Sequence, residues 1–363
     1  MEQKAFLFTS MPIIALIIVF GYMNIQQEKS LNPEITEITG QCQSIIYNGE
    51  DRIDLLFISS KEEAQHYTKV IFDAEPYKTY NNYFNIYVLE EEPECDYYKD
   101  IAILCNTKKT LSLAKNCPND YIITVKEDSP KIRSSAYGSV MSINSAHEDS
   151  VLIHELGHAL GNLAEEYVPA NIPRGSENCV SSCDKFTKSS IDSCDLECSQ
   201  SNYYRSIKSG VMRTLATSNY GTYNIALLSE LLEKNKPKET TITGNQISEE
   251  ISCDNNIIEL QLVQSESPTI KTDNILQTGC APDKGLSGSL CVEELCNINT
   301  LFTDTQNIYE EETLEGETYL NPEAPLIFYI KQNKLNPEVE IILDNQIISK
   351  INTAEAGATA CKI

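Results

Sequence analysis

His154 and His158 stand four residues apart, with Glu155 directly after the first, in the stretch Val151-Leu-Ile-His-Glu-Leu-Gly-His-Ala-Leu-Gly-Asn-Leu-Ala-Glu-Glu-Tyr167. On a helix this spacing is just over one turn, so both imidazoles project from one face and can grip one ion. Glu155 lies about 100° further round the helix, where its carboxylate meets a water on that ion rather than the ion itself. The HExxH pattern serves attack by metal-activated water on a polarised carbonyl. Only four histidines occur in the chain, and two of them form this pair. A hydrolytic zinc site keeps three protein ligands and leaves one position for water. No histidine follows His158, so the third ligand is expected among carboxylates, and the next two are Glu165 and Glu166. If the helix ran straight on, Glu165 would lie about 10 Å along the axis from His158. The chain must therefore turn, and Gly161 is where the sequence permits it.

The elements around this stretch have to present it. Leu152, Leu156, Ala159, Leu160 and Leu163 cluster opposite the histidines, so one helix face is expected to meet the core while the other carries the metal chemistry. Asp149 and Ser150 offer N-cap chemistry, and Gly157 removes a side chain between the two ligands. Upstream, the pattern predicts a central strand around Leu55, a helix over Glu62 to Phe72, a strand over Phe84 to Leu89 and another over Tyr121 to Val125. Strands alternating with helical stretches point to an α/β domain with a mostly parallel sheet. Ser134 to Ile143 is strand-like as well. Downstream, Tyr223 to Lys234 is amphipathic, Asn235 to Glu239 reads as a linker, and from about Thr240 the composition becomes β-rich. Strand-like runs fall there at Ile257 to Val263, Leu326 to Ile330, Val339 to Leu343 and Ile347 to Ile351, with Asp344-Asn345 as a hairpin turn.

Residues Ala5 to Met23 form a 19-residue run without a charge, nearly matching a bilayer core of about 30 Å at 1.5 Å per residue. This is a membrane span or a signal peptide, and its length and the lack of an A-x-A-like cleavage site favour an uncleaved anchor. All 13 cysteines lie beyond it, which places the folded part in an oxidising, extracytoplasmic compartment. The paired Cys179-Val-Ser-Ser-Cys183 and Cys194-Asp-Leu-Glu-Cys198 could hold a structural zinc, but in that compartment disulfides are expected. Cys95, Cys105 and Cys117 read as further staples, as do Cys253, Cys280, Cys291, Cys296 and Cys361. A formal net charge of −25 argues against nucleic acid or an anionic membrane surface as partner.

HELGHALGNLAEEY resembles the signature of the IgA-peptidase family of zinc metallopeptidases, in which an HExxH helix runs through a glycine into Leu-Ala-Asp-Glu-Tyr. The family's Asp corresponds to Glu165, one methylene longer, so the resemblance implies Glu165 as third ligand with Glu166 as competitor. Arg52 to Ile58 looks like the family's opening strand, and Glu75 to Val88 like its "EPF…FNVY" segment. Tyr203 to Arg213 is similar to the segment ending in "(S/C)xMR", which would make Met212 the Met-turn beneath the metal. The similarity covers about residues 50–235. It implies a metzincin-like fold in which a strand corresponding to Ser134 to Ile143 borders the cleft and can pair with substrate backbone. The alternative for that strand is a sheet edge without a functional role.

The sequence thus leads to the following expectations. Residues 1–25 form a transmembrane anchor and 26–49 a tether, followed by a metallopeptidase domain over 50–236 and a β-rich accessory domain over 240–363. The function expected is that of a membrane-anchored, extracytoplasmic zinc endopeptidase, or a secreted one if the N-terminal segment is cleaved. It would act on a protein or peptide substrate. Zn2+ is held by His154, His158 and Glu165, Glu155 is the catalytic base, and Tyr167, Tyr203 and Tyr204 are candidates to hold the oxyanion. The rival readings are a surface adhesion or recognition protein with a structural or inactive metal site, and a zinc hydrolase acting on another amide.

Overall fold

The computed structural model describes residues 42–98, 100–187, 190–238, 253, 255–263, 269–271, 276–287, 290–292, 295–297, 326–331, 338–343 and 346–352. Six strands make the sheet that carries the site. They are β1 (Cys42–Ile46), β2 (Ile53–Ile58), β3 (Phe84–Leu89), β6 (Tyr121–Lys126), β7 (Ser135–Tyr137) and β8 (Val140–Asn144), in the spatial order β1-β3-β2-β6-β8-β7. β4 (Asp96–Tyr98) and β5 (Ala102–Leu104) form a separate small ladder. Helix α1 (Lys61–Asp73) connects β2 to β3, and α2 (Lys108–Ala114) precedes β6. Such crossovers let β3, β2, β6 and β8 run parallel. At the edges the pairing reverses. β7 and β8 are joined through Gly138, at φ +59°, and Ser139, and a link this short permits only an antiparallel pair. β1 also lies antiparallel on β3. Ser134 to Ile143 is therefore a hairpin rather than one strand.

Successive residues of a strand face opposite sides of the sheet, and in β2 they enter different cores. Ile53, Leu55 and Phe57 pack with Ala64, Tyr67 and Ile71 of α1, with Leu152 and Leu156 of α3 (Ser150–Gly161), and with Leu228 and Leu232 of α4 (Thr222–Lys234). Leu56 and Ile58 face the other way. There they meet Leu111 and Ala114 of α2, but also Ile257 of β11 (Asn255–Val263), Ala281, and Tyr329. The second face is thus closed by α2 together with residues from the C-terminal part of the chain.

That part contains β12 (Thr269–Lys271), β13 (Leu276–Gly279), β14 (Leu290–Val292), β15 (Leu295–Asn297), β16 (Leu326–Lys331), β17 (Glu338–Leu343) and β18 (Gln346–Asn352). All of its ladders are antiparallel: β12, β13 and β16 on β11, and β15-β14-β17-β18 in a second sheet. The segment before β14 is stitched to the first sheet. Cys280 donates its N–H to the Lys115 carbonyl, and the Leu286 N–H bonds the Tyr121 hydroxyl at 2.8 Å.

The expected fold class therefore needs correction. With the antiparallel pair β9 (Asp195–Cys198) and β10 (Gln200–Arg205), the sheets are mixed or antiparallel, four helices stand among eighteen strands in the described residues, and this mostly-sheet architecture does not single out a metzincin. The sequence misleads because a strand buried on both faces reads the same whether helices or strands cover it. No described helix is long and apolar enough to cross a membrane, and the expected span Ala5 to Met23 lies outside the described residues.

Disulfides join Cys42–Cys117, Cys95–Cys105, Cys179–Cys198, Cys183–Cys194 and Cys253–Cys280, and Cys291 is also disulfide-bonded. The two C-x3-C pairs form nested bridges rather than a zinc site. Bridges of this number belong to an oxidising compartment.

Candidate metal centre

Helix α3 is buried all round, with ten of its twelve residues inside the protein. Its core side is the expected one. Its ends differ from expectation. Asp149 is the N-cap residue but makes no capping bond, and its carboxylate pairs with His66 Nε2 at 2.9 Å. Ser150 turns its hydroxyl to the Leu215 carbonyl. The chain leaves the helix at Asn162, at φ +50°, whose N–H returns to Gly157 and His158 carbonyls. Gly161 stays helical, and its lack of a side chain admits Leu228, since a Cβ there would lie 2.5 Å from Leu228 Cδ2. Asn tolerates the left-handed conformation better than most residues with a side chain, which is why the turn can fall one residue later than expected.

The turn brings Glu165 back over the histidines. His158 Nε2 lies 3.2 Å from Glu165 Oε1, His154 Nε2 lies 3.3 Å from Oε2, and the two Nε2 atoms are 3.0 Å apart. On the far side of each ring, Nδ1 meets a main-chain carbonyl: Val211 at 2.9 Å for His154 and Leu163 at 2.6 Å for His158. A carbonyl only accepts, so each Nδ1 carries the proton and each Nε2 presents a lone pair. Two lone pairs and a carboxylate thus converge, and this combination requires a proton or a cation among them. Glu165 Oε2 is buried without a hydrogen-bond partner. Tetrahedral zinc with bonds of 2.0–2.1 Å needs donors about 3.3 Å apart, close to the separations present. His154, His158 and Glu165 form a group able to hold a metal ion, the one such group among the described residues. Their side chains keep 11, 17 and 15 % of their surface.

Electrostatics matches this geometry. Burial by itself would lower the His154 pKa, but the facing Glu165 carboxylate overrides it and lifts the value to about 10. Burial opposes ionisation of Glu165, yet the two histidines hold it well below the usual carboxylate range. Glu155, next to His154, is buried, and that burial raises its pKa while the neighbouring histidines pull it down. Among the described residues no hydrogen-bond donor occupies its carboxylate. The Tyr167 phenol is kept protonated by burial and by the Glu165 charge beside it. Tyr203 packs on Ala164 and the Cys179–Cys198 bridge, and Tyr204 makes a main-chain bridge to Val180.

The turn 211–213 forms the floor. Its Val211 carbonyl orients His154, its Met212 carbonyl accepts the Glu166 N–H at 2.8 Å, and Met212 itself is fully buried. Gly157 permits the close approach, because a Cβ there would stand 2.7 Å from Met212 Sδ and 2.9 Å from the Tyr220 ring. Glu166 points away from the donor group. Its Oε1 accepts from Asn224 at 2.8 Å and Asn178 at 3.2 Å, and burial pushes its pKa up to about 7. Arg213, the last residue of the segment likened to "(S/C)xMR", supports the site through the Glu166 carbonyl, and Asn178, Ser199 and Asn224 support it without having been singled out in the sequence. Nothing local marks these three, since their partners lie far along the chain. Comparison of this chain with protein-family models and with curated proteins gave no match.

Proposed function

We propose that the protein is an extracytoplasmic zinc hydrolase that cleaves peptide bonds. The observation that carries this reading is the convergence of two Nε2 lone pairs and the Glu165 carboxylate, with a separate buried carboxylate, Glu155, adjacent to them. Three protein donors leave a position for water. A structural ion, as an adhesion or recognition protein would use, calls for a closed shell of four, and the described group contains three.

His154, His158 and Glu165 would hold the zinc, which would supply a Lewis acid for the scissile carbonyl and an acidified water. Glu155 would be the base that accepts a proton from the attacking water and passes it to the leaving amine. The Val211 and Leu163 carbonyls accept from Nδ1 of His154 and His158 and so turn each Nε2 toward Glu165; because the Glu165 charge and the Val211 carbonyl both favour protonated His154, a bound cation would have to displace that proton. Tyr167, protonated beside Glu165, is the candidate to donate to the developing oxyanion; Tyr203 is engaged in packing. The choice of peptide bonds over other amides rests on the resemblance of the 154–167 stretch to the IgA-peptidase family, and no substrate is taken from that family's name. Attachment to a membrane would rest on the uncharged run Ala5 to Met23 alone and is no part of this reading.

Glu155→Ala tests it on a peptide library, with and without a chelator. The variant should keep its zinc while turnover falls by about 10²–10⁴-fold, and chelation should abolish wild-type cleavage. Hydrolysis by the variant at the wild-type rate would falsify the assignment.

A further inference from the structure

The loop that carries Glu165 has no regular structure, so its main-chain groups must find partners elsewhere. The Ala164 N–H bonds Asn178 Oδ1 at 2.7 Å, and the Ala164 carbonyl accepts from Asn178 Nδ2 at 2.9 Å. The Glu166 N–H goes to Met212, and its carbonyl accepts from Arg213 at 2.9 Å. Between them, the carbonyl of Glu165 itself accepts the Ser199 hydroxyl at 2.6 Å.

Ser199 is 1 % exposed and has φ +56°, a left-handed conformation that serine rarely adopts. It directly follows Cys198, whose bridge to Cys179 packs on Ala164, and its own carbonyl accepts the Ala170 N–H at 2.8 Å. The two sulfurs lie 3.5 and 4.0 Å from the Glu165 carbonyl, but bridged sulfurs carry no proton. The hydroxyl is therefore what ties that carbonyl down. A glycine would suit the backbone better, so a serine here points to a use for its hydroxyl.

We propose that Ser199 is a positioning residue for the third metal ligand: braced by the Cys179–Cys198 bridge, its hydroxyl fixes the main chain of Glu165 and thereby aims the carboxylate at the two imidazoles. The inference rests on the metal reading above. Its signature is a separation between metal affinity and stability. Ser199→Gly deletes the hydroxyl but suits the left-handed backbone. Ser199→Thr keeps the hydroxyl but strains that backbone with a branched side chain.

The test is Zn2+ and Co2+ affinity by competition with a chromogenic chelator, the visible spectrum of bound Co2+, and the melting temperature without metal. Ser199→Gly should bind Zn2+ about 10–100-fold more weakly, the usual range for groups that orient a ligand, with an altered Co2+ spectrum and an unchanged melting temperature. Ser199→Thr should melt lower yet hold zinc as the wild type does. Equal affinity and spectra for wild type and Ser199→Gly would overturn the inference alone, as would affinity losses that simply follow the melting temperature in both variants. A wild type that binds neither ion would overturn the metal reading and this inference together.

Discussion

Asp120 is a buried and Glu165 a largely enclosed carboxylate, both in irregular chain, and their oxygens meet opposite kinds of partner. Asp120 Oδ2 accepts the Asp54 N–H at 2.8 Å, and Oδ1 accepts the Asp283 and Lys284 N–H groups at 2.9 Å each. Its partners are main-chain donors from two distant stretches, so it fastens the C-terminal segment to the first sheet. Glu165 instead turns one oxygen to each imidazole and leaves Oε2 without a hydrogen bond. The titration behaviour differs to match. Burial, joined by the charges of Asp54 and Asp283, raises Asp120 to about 8 despite the N–H groups, whereas the histidines hold Glu165 low. The comparison teaches that burial alone does not mark a functional carboxylate. What marks it is whether its oxygens are filled by the fold or left facing other ligand atoms.

The largest effect expected from breaking this contrast is on stability. Asp120→Ala leaves three part-buried N–H groups without their acceptor, at about 1–3 kcal/mol for each that stays out of water, so unfolding in denaturant should show a loss of about 3 kcal/mol. Zinc affinity of the folded fraction should not change; a parallel collapse of metal binding would mean that the two sites are one structural unit.

The second contrast lies between neighbours. Glu165→Gln removes the anionic ligand and should weaken zinc binding by about 100-fold, or about 2.7 kcal/mol, with little effect on the melting temperature without metal. Glu166→Gln should do the reverse, costing about 1 kcal/mol of stability and less than about tenfold in affinity. Zinc titration of both variants decides, and a larger affinity loss in Glu166→Gln would remove Glu165 from the ligand set.

The smallest effect concerns pH. Burial lifts Asp54 to about 6, and Asp120 stands at about 8, both above the value near 4 of an unfolded aspartate. The folded state therefore holds more protons than the unfolded one between those limits. The pair's contribution to stability is complete below about pH 4 and declines as pH rises through 6 and 8. Asp54→Asn removes one of the two charges, so stability should drop less between pH 5 and pH 8 than in the wild type, by about 1 kcal/mol. Identical drops measured by urea unfolding would show that Asp54 is not raised in the folded state.

What the sequence determined by itself is what short-range rules encode. The four-residue spacing of His154 and His158 on an apolar helix, the strand over Phe84–Leu89 and the helix ending at Lys234 follow from period and propensity, and all are present. The cysteine content likewise fixed the oxidising compartment. Tertiary structure alone decided the rest. The residues themselves left Glu165 and Glu166 open; what separates them is that Glu165 alone groups with the two histidines, while Asn178 and Asn224 claim Glu166 Oε1 from 12 and 58 positions away. The chain turns at Asn162, which takes the left-handed conformation, while Gly161 stays helical and makes room for Leu228. The sheet is mixed rather than mostly parallel because a two-residue link reverses β7 and because β1 lies antiparallel on β3, while Ile257 and Tyr329, far along the chain, help to cover its second face. In each case the deciding partner is remote in sequence, and no local pattern records which side chain will fill a given space or claim a given oxygen.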